Sequence, residues 1–394
     1  MTTLLIFIAK RIAAFIYFFM KLLPVRKKRI VLLSRQFNKL SLDYRLLITN
    51  LRKQDRSVEI TAVLCRFQKN AGFVPEALRY LWAQLRSMYL LATSEVCVLD
   101  SYWPAVSVLR HRKSLTVIQM WHAAGKIKQS GYQTLGKPYG RREKISNAMN
   151  MHQGYDVIIA GCEKLNPYYC ASFNATSDKM FNVGLPRLDW MIKHRPFGRA
   201  ALERKHPEYI GKKIVLYAPT FRVQDRLDCR ELIAAFDRPD CALIVRPHQR
   251  HQIAEGLQFD SCSGVSTAEI LCACDYLITD YSAITFEAAA VDVKTVFYLY
   301  DYDQYKINNG LNIDVAEVMP ECSYFTAQDV ARVILTDSYD QEAFERFRAA
   351  YLPRELGHST DHISQLILDC IEKGKYEGIR KNLAGETQAP VSVV

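Results

Sequence analysis

Three short apolar runs in the second half of the chain each end in side chains that suit anion binding. Each run is rich in Val, Ile and Leu, as in a buried parallel strand, and hydroxyl, imidazole or guanidinium groups follow at once. Guanidinium and imidazole groups at a strand's carboxyl end suit a diphosphate, and the amides that open a following helix bind phosphate as well. Asp280 and Ser282 also fit plain helix capping, so the predicted anion pocket depends on the three ends together. The predicted donor- or phosphate-binding residues are Thr220, Arg222, Arg246, Asp280, Ser282 and Thr285.

A fourth apolar run, in the first half, stops before His122 and a loop that carries glycine and two lysines. A lone histidine is more often structural, but its place after a strand and beside Lys126 and Lys128 favours catalysis. The unperturbed imidazole pKa lies near neutrality, which suits a general base. We predict His122 and His248 as catalytic residues, with Lys126 and Lys128 on the acceptor side.

Motifs of other common enzyme classes do not occur in a usable context. The zinc-protease, P-loop, dinucleotide-binding and α/β-hydrolase signatures are missing. Asp301 and Asp303 have acidic spacing, but they lie in an aromatic loop and we interpret them as a surface turn. The eleven cysteines are scattered without a CxxC pair, which predicts buried reduced thiols. We expect neither a metal nor a cofactor.

The apolar runs also predict the elements that position these side chains. Strand-like runs alternate with amphipathic segments, which is typical of doubly wound α/β sheets, and 394 residues suffice for two domains. We predict two Rossmann-like domains facing a cleft, 29–193 on the acceptor side and 194–373 on the donor side, with a link at 194–207 and a flexible tail at 374–394. The predicted strands are Ile30–Ser34, Val58–Leu64, Val96–Leu99, Leu115–Met120, Val157–Ala160, Met180–Val183, Ile214–Ala218, Ala242–Val245, Tyr276–Thr279 and Thr295–Leu299.

The first 28 residues predict an amphipathic, membrane-associating helix. The net charge of the chain is +11, and residues 1–29 hold seven basic and no acidic side chains, so a nucleic-acid-binding face is not expected. Lys10, Tyr17 and Lys21 share a narrow stripe of the wheel, and we predict that the lysines reach lipid head groups while the apolar remainder enters the interface. The basic flank keeps the following domain in the cytoplasm.

Other interpretations of this segment stay open. A cleaved signal peptide is disfavoured because Lys10 and Arg11 interrupt its apolar core and no small-residue cleavage site follows. A spanning anchor would bury those charges, which is costly but does occur. An ordinary packed N-terminal helix is the third possibility.

Five motifs together resemble the CDP-glycerol glycerophosphotransferase family, the teichoic-acid primases and polymerases of Gram-positive envelopes. The resemblance covers roughly residues 25–372. It implies a GT-B-like fold, a peripheral place on the cytoplasmic side of the cell membrane, and a polyprenyl-diphosphate-linked acceptor. The motifs are Trp121-His122 with Lys126 and Gly131, Val183–Asp189, Tyr217–Arg222, Arg246–His248 and Ile278–Ser282.

The resemblance also implies roles for individual residues. His122 resembles the general base that takes the acceptor's proton, and His248 and Ser282 resemble positions that hold the donor diphosphate while CMP leaves. Ala123 stands where the family usually has Gly, and His362 stands where it has Arg. The resemblance implies CDP-glycerol as donor, and these departures leave open CDP-ribitol or a divergent enzyme of capsule or glycan modification.

Two other classes of function fit the same pattern. One is a GT-B glycosyltransferase or nucleotide-sugar epimerase that uses a UDP-sugar, in which Glu287 would offer its carboxylate to the ribose. The other is a membrane-peripheral scaffold without enzymatic activity. Release of CMP or of UDP separates the enzymes, and a function that survives loss of His122 would identify the scaffold.

Overall fold

Two parallel β-sheets, one from each half of the chain, contain the strands that the sequence predicts. The structure, a computed structural model, describes residues 2–68, 72–222, 226–248 and 251–386. The predicted runs recur within one or two residues of their expected ends, and a two-residue strand near residue 323 is added. The strands are β1 Arg29–Ser34, β2 Glu59–Leu64, β3 Val96–Leu99, β4 Thr116–Gln119, β5 Val157–Ile159, β6 Met180–Phe181, β7 Lys213–Tyr217, β8 Cys241–Val245, β9 Tyr276–Thr279, β10 Lys294–Tyr298 and β11 Ser323–Tyr324.

The strand order places one crevice at the carboxyl edge of each sheet. In the described residues the first sheet runs β2-β1-β3-β4-β5-β6 and the second β11-β10-β9-β7-β8. Both orders reverse direction beside their first strand, at β1 and at β7. Ligands of open α/β sheets bind at such reversal points. The doubly wound prediction is therefore confirmed, and the loops after β1, β3, β7 and β9 are where a site is expected.

Helices connect the strands and cover both faces of each sheet. The segments between the strands are helical for the most part, as the alternating pattern predicts. The helices are α1 Thr2–Met20, α2 Leu42–Gln54, α3 Phe73–Thr93, α4 Pro104–Val108, α5 Glu143–Ala148, α6 Asn166–Phe173, α7 Pro186–Lys205, α8 Arg230–Ala235, α9 Thr267–Leu271, α10 Ile284–Ala290, α11 Tyr302–Asn308, α12 Val315–Val318, α13 Ala327–Leu335, α14 Gln341–Tyr351, α15 Ser359–Glu372 and α16 Lys375–Glu386.

Helix α7 occupies most of the segment 194–207 that the sequence suggested as an irregular link. It continues to Lys205 even though Pro196 lies inside it. Contacts with the end of α9 hold the helix on both sides of that proline. Arg195 donates to the carbonyls of Cys272 and Cys274 at 3.2 and 3.1 Å, and a Cβ on Gly198 would lie 2.0 Å from the Cys272 carbonyl. The two sheets are thus joined by a packed helix, whereas the sequence pattern alone predicted a loop at 194–207.

The last helices return to the first sheet. Phe344 of α14 and Ile363 and Leu366 of α15 belong to the same buried cluster as β1 and β3. Asp189, in the first turn of α7, accepts the backbone N–H groups of Ser359 and Thr360 at 3.0 and 2.6 Å, and so caps α15. The two halves therefore share a core, and the limits 29–193 and 194–373 stay predictions of the domain boundaries.

The predicted flexible tail is wrong for residues 375–386, which form α16. The carboxylate of Asp369 on α15 is 2 % exposed and pairs with Lys381 at 2.9 Å and with Asn382 at 3.0 Å. Gly378 lies so close to the backbone of Cys370 that a Cβ there would be 2.5 Å from the Cys370 nitrogen. The helix is held by these long-range partners, which local periodicity does not reveal. Residues 387–394 lie outside the described residues.

Helix α1 docks on the protein through its charged stripe. Lys10 Nζ donates to the carbonyl of Ala148 at 2.7 Å, at the end of α5, where unpaired carbonyls attract a cation. Tyr17 is 1 % exposed, and its hydroxyl lies 2.8 Å from Nδ1 of His111; Lys21 donates to a backbone carbonyl beyond the helix. The prediction that the lysines reach lipid head groups is therefore wrong, because they face the protein. The exposed apolar residues of α1 are Leu4, Leu5, Phe7, Ile8, Ile12, Phe15, Phe18 and Phe19.

Replacing the carboxylate that caps α15 is expected to destabilise the fold. Asp189→Ala removes the acceptor for two backbone N–H groups and should lower the free energy of unfolding by about 1–3 kcal/mol. Asp189→Asn retains one acceptor oxygen and should lose less. Chemical denaturation of both variants measures the difference, with Ala at the exposed Asp178 as the control. Equal stability of Asp189→Ala and the control would show that α15 does not depend on this cap.

Candidate active site

His122 follows β4 at the carboxyl edge of the first sheet. The preceding Trp121 has a φ of 62°, a left-handed conformation that is uncommon for a bulky residue, and its ring centroid lies 4.2 Å from that of His122. Nδ1 of His122 lies 2.8 Å from the carbonyl oxygen of Asp100, which follows β3. Because a carbonyl only accepts, Nδ1 carries the proton and Nε2 keeps its lone pair. The amide of Gln36 lies 3.5 Å from both ring nitrogens, too far for a strong hydrogen bond.

The surroundings of His122 keep its imidazole neutral. Burial is the main reason that the pKa of His122 falls to about 4; the positive charges of Arg187, Lys126 and Lys128 contribute, while the carbonyl of Asp100 opposes them. At pH 7 the ring is therefore unprotonated at Nε2. This arrangement can accept a proton from a hydroxyl placed beside it.

Lys126 lies in an interior aromatic cage. Lys126 is 3 % exposed. Its Nζ lies 4.5, 5.0 and 4.4 Å from the ring centroids of Trp121, Tyr169 and Phe173. Nζ also donates to Ser130 Oγ at 2.9 Å. Burial lowers the pKa of Lys126 to about 7. Since the ammonium faces the interior, the structure gives it a local packing and electrostatic role, and contact with an acceptor stays a prediction.

Lys128 lies where the two halves of the chain meet. It forms an isolated antiparallel bridge with Leu311, and its carbonyl accepts the side-chain amide of Asn312 at 3.2 Å. The next residue, Gln129, donates its backbone N–H to the carbonyl of Gly310 at 3.0 Å. The lysine-bearing loop is therefore fixed against the segment after α11, and a role of Lys128 on the acceptor side stays a prediction.

Arg222 and Asp280 tie together the turns after β7 and β9. Arg222 is 3 % exposed; its Nη2 lies 2.9 Å from Asp280 Oδ2, and its Nε lies 2.6 Å from Asp301 Oδ2. Asp280 also accepts the backbone N–H groups of Thr220 at 2.9 Å and Tyr281 at 2.7 Å. These polar atoms are thus used within the protein, and direct donor contact by Arg222, Asp280 and Thr220 stays a prediction. Asp301 is a partner of Arg222, so its interpretation as a surface turn is wrong.

The remaining predicted donor residues line the same edge with different exposure. His248 is exposed, whereas Arg246 is half-buried and its Nη1 donates to the carbonyl of Ser261 at 2.9 Å. Thr285 is buried and donates its hydroxyl to the carbonyl of Ser282 at 3.1 Å. The structure caps α10 one residue later than predicted, since Ser282 lies outside the N-cap position, with its Oγ 3.4 Å from the N–H of Ile284.

His251 also lies at this edge, although it belongs to none of the motifs predicted from the sequence. Its Nε2 lies 3.2 Å from the backbone nitrogen of Arg222, and its Nδ1 lies 3.2 Å from the backbone nitrogen of His248. Its ring centroid lies 5.5 Å from that of Phe221. Burial lowers the pKa of His251, and the charge of Arg222 adds to the shift. Its place three residues after His248 was the one available signal, because it returns the side chain to the same turn.

Arg187 connects the two sides of the site. It lies in the first turn of α7, and its Nε contacts both carboxylate oxygens of Asp43 on α2, at 3.2 and 3.0 Å. Nη1 lies 2.9 Å from Glu287 Oε1 on α10, and Nη2 lies 3.3 Å from the carbonyl oxygen of His122. The loop 121–131, called the catalytic loop after its predicted role, and α10, called the donor-side helix, therefore share one guanidinium. Oε1 of Glu287, whose carboxylate a UDP-sugar enzyme would offer to the ribose, is thus paired with Arg187 in this structure.

A close backbone approach supports the same junction. A Cβ on Gly125 would lie 2.2 Å from the ring of Phe286 in α10, so only glycine fits there. The predicted glycine of the catalytic loop thus serves packing against the donor-side helix. The loop that begins at His122 therefore packs against α10, the helix that follows the Asp280 turn.

The described residues contain no group of three or more His, Cys, Asp or Glu side chains that could hold a metal ion. The cysteines are free thiols, and Cys170 is the one that is half-buried while the other ten are buried.

Comparison with known sequences identifies relatives in cell-wall polymer synthesis. The chain is 29 % identical to a teichoic acid ribitol-phosphate primase of Bacillus spizizenii, covering 90 % of this chain and 94 % of that protein. It is 26 % identical to a teichoic acid glycerol-phosphate primase of Staphylococcus aureus, over 64 % of this chain and 68 % of the relative. It also matches a poly(ribitol-phosphate) polymerase of B. spizizenii, of which it spans 55 %.

Solved structures of similar fold include the wall teichoic acid polymerase TagF, with a TM-score of 0.70 and 18 % identity over 93 % of this chain and 95 % of that one. A UDP-GlcNAc 2-epimerase of Methanocaldococcus jannaschii has a TM-score of 0.52 at 12 % identity, over 86 % and 99 % of the two chains. These likenesses concern the fold, and they agree with the GT-B-like architecture expected from the sequence. The family model described as CDP-Glycerol:Poly(glycerophosphate) glycerophosphotransferase matches residues 15–369, so this chain belongs to that family.

Proposed function

We propose that this protein transfers a polyol phosphate from a CDP-activated polyol to a hydroxyl of a lipid-linked, teichoic-acid-type acceptor and releases CMP. The observation that carries the proposal is the neutral imidazole of His122, held at the junction with the donor-side helix in a chain that the family model matches from 15 to 369. The relatives named above act in glycerol- or ribitol-phosphate transfer, which supports the same class of reaction.

In the proposed step the acceptor hydroxyl oxygen attacks the β-phosphorus of the donor. Nε2 of His122 takes the hydroxyl proton, the bond from the β-phosphorus to the bridging oxygen breaks, and CMP leaves with that oxygen. An imidazole with a pKa of about 4 is a weak base. Positioning and charge neutralisation therefore supply most of the rate, as in other phosphoryl transfers.

On the donor side we propose a division of labour among the predicted residues. Arg246, His248 and Ser282 have exposed or half-buried side chains and hold the diphosphate. Thr220, Arg222, Asp280 and Thr285 are buried and hold the turns in which those three residues lie. Lys128 neutralises charge on the acceptor side, and Lys126 acts from the interior of its loop.

The donor is CDP-glycerol by family membership, with CDP-ribitol as a second candidate. The second is favoured by the ribitol-phosphate primase relative, because the chain spans 94 % of it at 29 % identity. A primase adds one or a few units and a polymerase adds many, so the length of the product distinguishes them.

We also propose that the protein lies on the cytoplasmic face of the cell membrane through α1 and α3 together. An 18-residue stretch of α1, Thr3–Met20, has a mean hydropathy of 1.9 and passes the length and composition test for a membrane span. Both Lys10 and Lys21 are docked on the protein body, which favours a helix lying along the surface over one that leaves it to cross a bilayer. Its outward face is apolar.

Helix α3 extends this apolar surface. It contacts α1 and exposes five large apolar side chains, while its only acidic residue, Glu76, is buried and paired with Arg79. The first 42 residues contain no acidic side chain, and Arg11, Arg26 and Lys27 are exposed. An apolar face beside basic residues suits an anionic lipid surface. The exposed apolar residues of α3 are Phe73, Val74, Leu78, Leu81 and Trp82.

The transfer reaction is tested with purified protein, membranes bearing the lipid-linked acceptor, and isotope-labelled donors. We expect CMP release from CDP-glycerol or CDP-ribitol and none of UDP from UDP-sugars. His122→Ala should lower kcat by roughly 10²–10⁴-fold with nearly unchanged donor affinity, because a base acts in the transition state. His206→Ala, a histidine remote from the site, is the matched control. UDP release, or loss of donor affinity in parallel with kcat, would contradict the assignment.

The membrane surface is tested by placing charges on each helix. The double substitutions Phe15→Glu/Phe18→Glu and Leu78→Glu/Trp82→Glu should each weaken sedimentation with phosphatidylglycerol vesicles by roughly tenfold or more, because a carboxylate must leave water. Phe197→Glu, at a site that is 70 % exposed on α7, should bind as the unmodified protein does. Normal vesicle binding of the α3 variant would show that α3 is not part of the membrane-binding surface. Resistance of the membrane-bound protein to a carbonate wash would indicate a spanning helix.

A further inference from the structure

The guanidinium of Arg187 lies where the catalytic loop, α2, α7 and α10 meet. We propose that Arg187 is a positioning residue for the transfer reaction, which fixes the backbone of His122 relative to Glu287 on the donor-side helix. This inference rests on the proposed function. It assigns work to two residues, Arg187 and Glu287, that neither bind the donor nor exchange the proton.

The contacts use the fork shape of the guanidinium. Nε and Nη2 face the carboxylate of Asp43, which also accepts the backbone N–H of Arg187 at 2.8 Å, so the arginine is fixed to the first half at both ends. Nη1 reaches Glu287, and Nη2 reaches the carbonyl of His122. A planar fork serves three acceptors in different directions, whereas an ammonium group on a flexible stem cannot reproduce that geometry.

Burial makes these contacts exclusive. The side chain of Arg187 is 19 % exposed, that of Asp43 3 % and that of Glu287 13 %. Burial disfavours ionisation of Glu287 and raises its pKa, while the charge of Arg187 opposes that rise. Removing the guanidinium would leave two carboxylates near each other with little water, and they would separate or take up a proton. The register between α2, α10 and the catalytic loop would be lost with it.

The same contacts argue against direct donor binding by Arg187. Nε, Nη1 and Nη2 each have a protein acceptor, and the carboxylate of Glu287 is paired. A residue of this kind should affect the rate of the chemical step more than the affinity for the donor, because small misplacements of a base cost rate without loosening the ligand.

Arg187 also acts on His122 through its charge. The charged and titratable groups around the imidazole are Arg187 on α7, Lys126 and Lys128 on its own loop, His152 beside Trp121, and Asp100 after β3. The positive charge of Arg187 is one of the factors that lower the pKa of His122. A neutral replacement should therefore raise that pKa and move the acid limb of the kcat profile to higher pH, since the base must be unprotonated to act.

Four variants separate the effects. Arg187→Gln should lower kcat by on the order of 10–100-fold, leave the affinity for the CDP-polyol unchanged, and move the acid limb upward. Arg187→Lys keeps the charge but not the fork, so kcat should fall while the limb stays in place. Glu287→Gln should lower kcat without moving the acid limb of the kcat profile to higher pH. Arg199→Gln is the matched control. Arg199 lies on the same helix as Arg187 and pairs with Glu203 and Asp275, and this variant should retain full activity.

Each measurement is made first on the unmodified protein, so that failure of the proposed function shows as absence of CMP release before any variant is compared. Full kcat in both Arg187→Lys and Glu287→Gln would overturn the inference. So would a loss of donor affinity in Arg187→Gln as large as the loss of kcat, because that result assigns the residue to the donor. Thermal unfolding of every variant identifies those that do not fold, and if Arg187→Gln is among them, the two milder variants decide.

Discussion

The structure depends on how a half-buried arginine is neutralised at the start of α7. A charge with little access to water must have partners, and Arg187 takes one from each half of the chain, Asp43 and Glu287. Two residues later, in the same helical turn, Asp189 caps the returning helix α15. A single turn thus holds α10, α15 and the catalytic loop, and the motif 183–189 is explained by these three attachments.

At the donor edge, too, the buried charges are paired within the protein. The sequence suggested a set of cations waiting for phosphate, but the most buried of them, Arg222, is already matched by Asp280 and Asp301. Its work is to hold the turns after β7 and β9 in fixed relation, which is the preorganisation that electrostatic catalysis needs. A ligand would then meet Arg246, His248 and backbone amides on a turn that does not have to reorganise.

The sequence predicted most of the strands because each is covered on both faces and reads as one apolar run. It failed where distant partners decide. Helix α16 is held by Asp369, the helical state of 194–205 by the end of α9, and Asp301 by Arg222. The wheel of α1 separated a charged stripe from an apolar face correctly, but amphipathicity alone does not say which face meets the protein. The charged stripe faces the protein because its partners there, the carbonyl of Ala148 and the ring of His111, lie far along the chain.

The low pKa of His122 has a consequence for the order of events in the proposed reaction. The imidazole is kept neutral by burial and by the cations Arg187, Lys126 and Lys128. A bound diphosphate brings negative charge toward the same junction and offsets those cations, which favours the protonated ring and raises its pKa. The base therefore becomes stronger once the donor is in place and stays weak without it. Since the carbonyl of Asp100 holds the proton at Nδ1 throughout, the strengthening acts on Nε2, the atom that must receive the acceptor's proton.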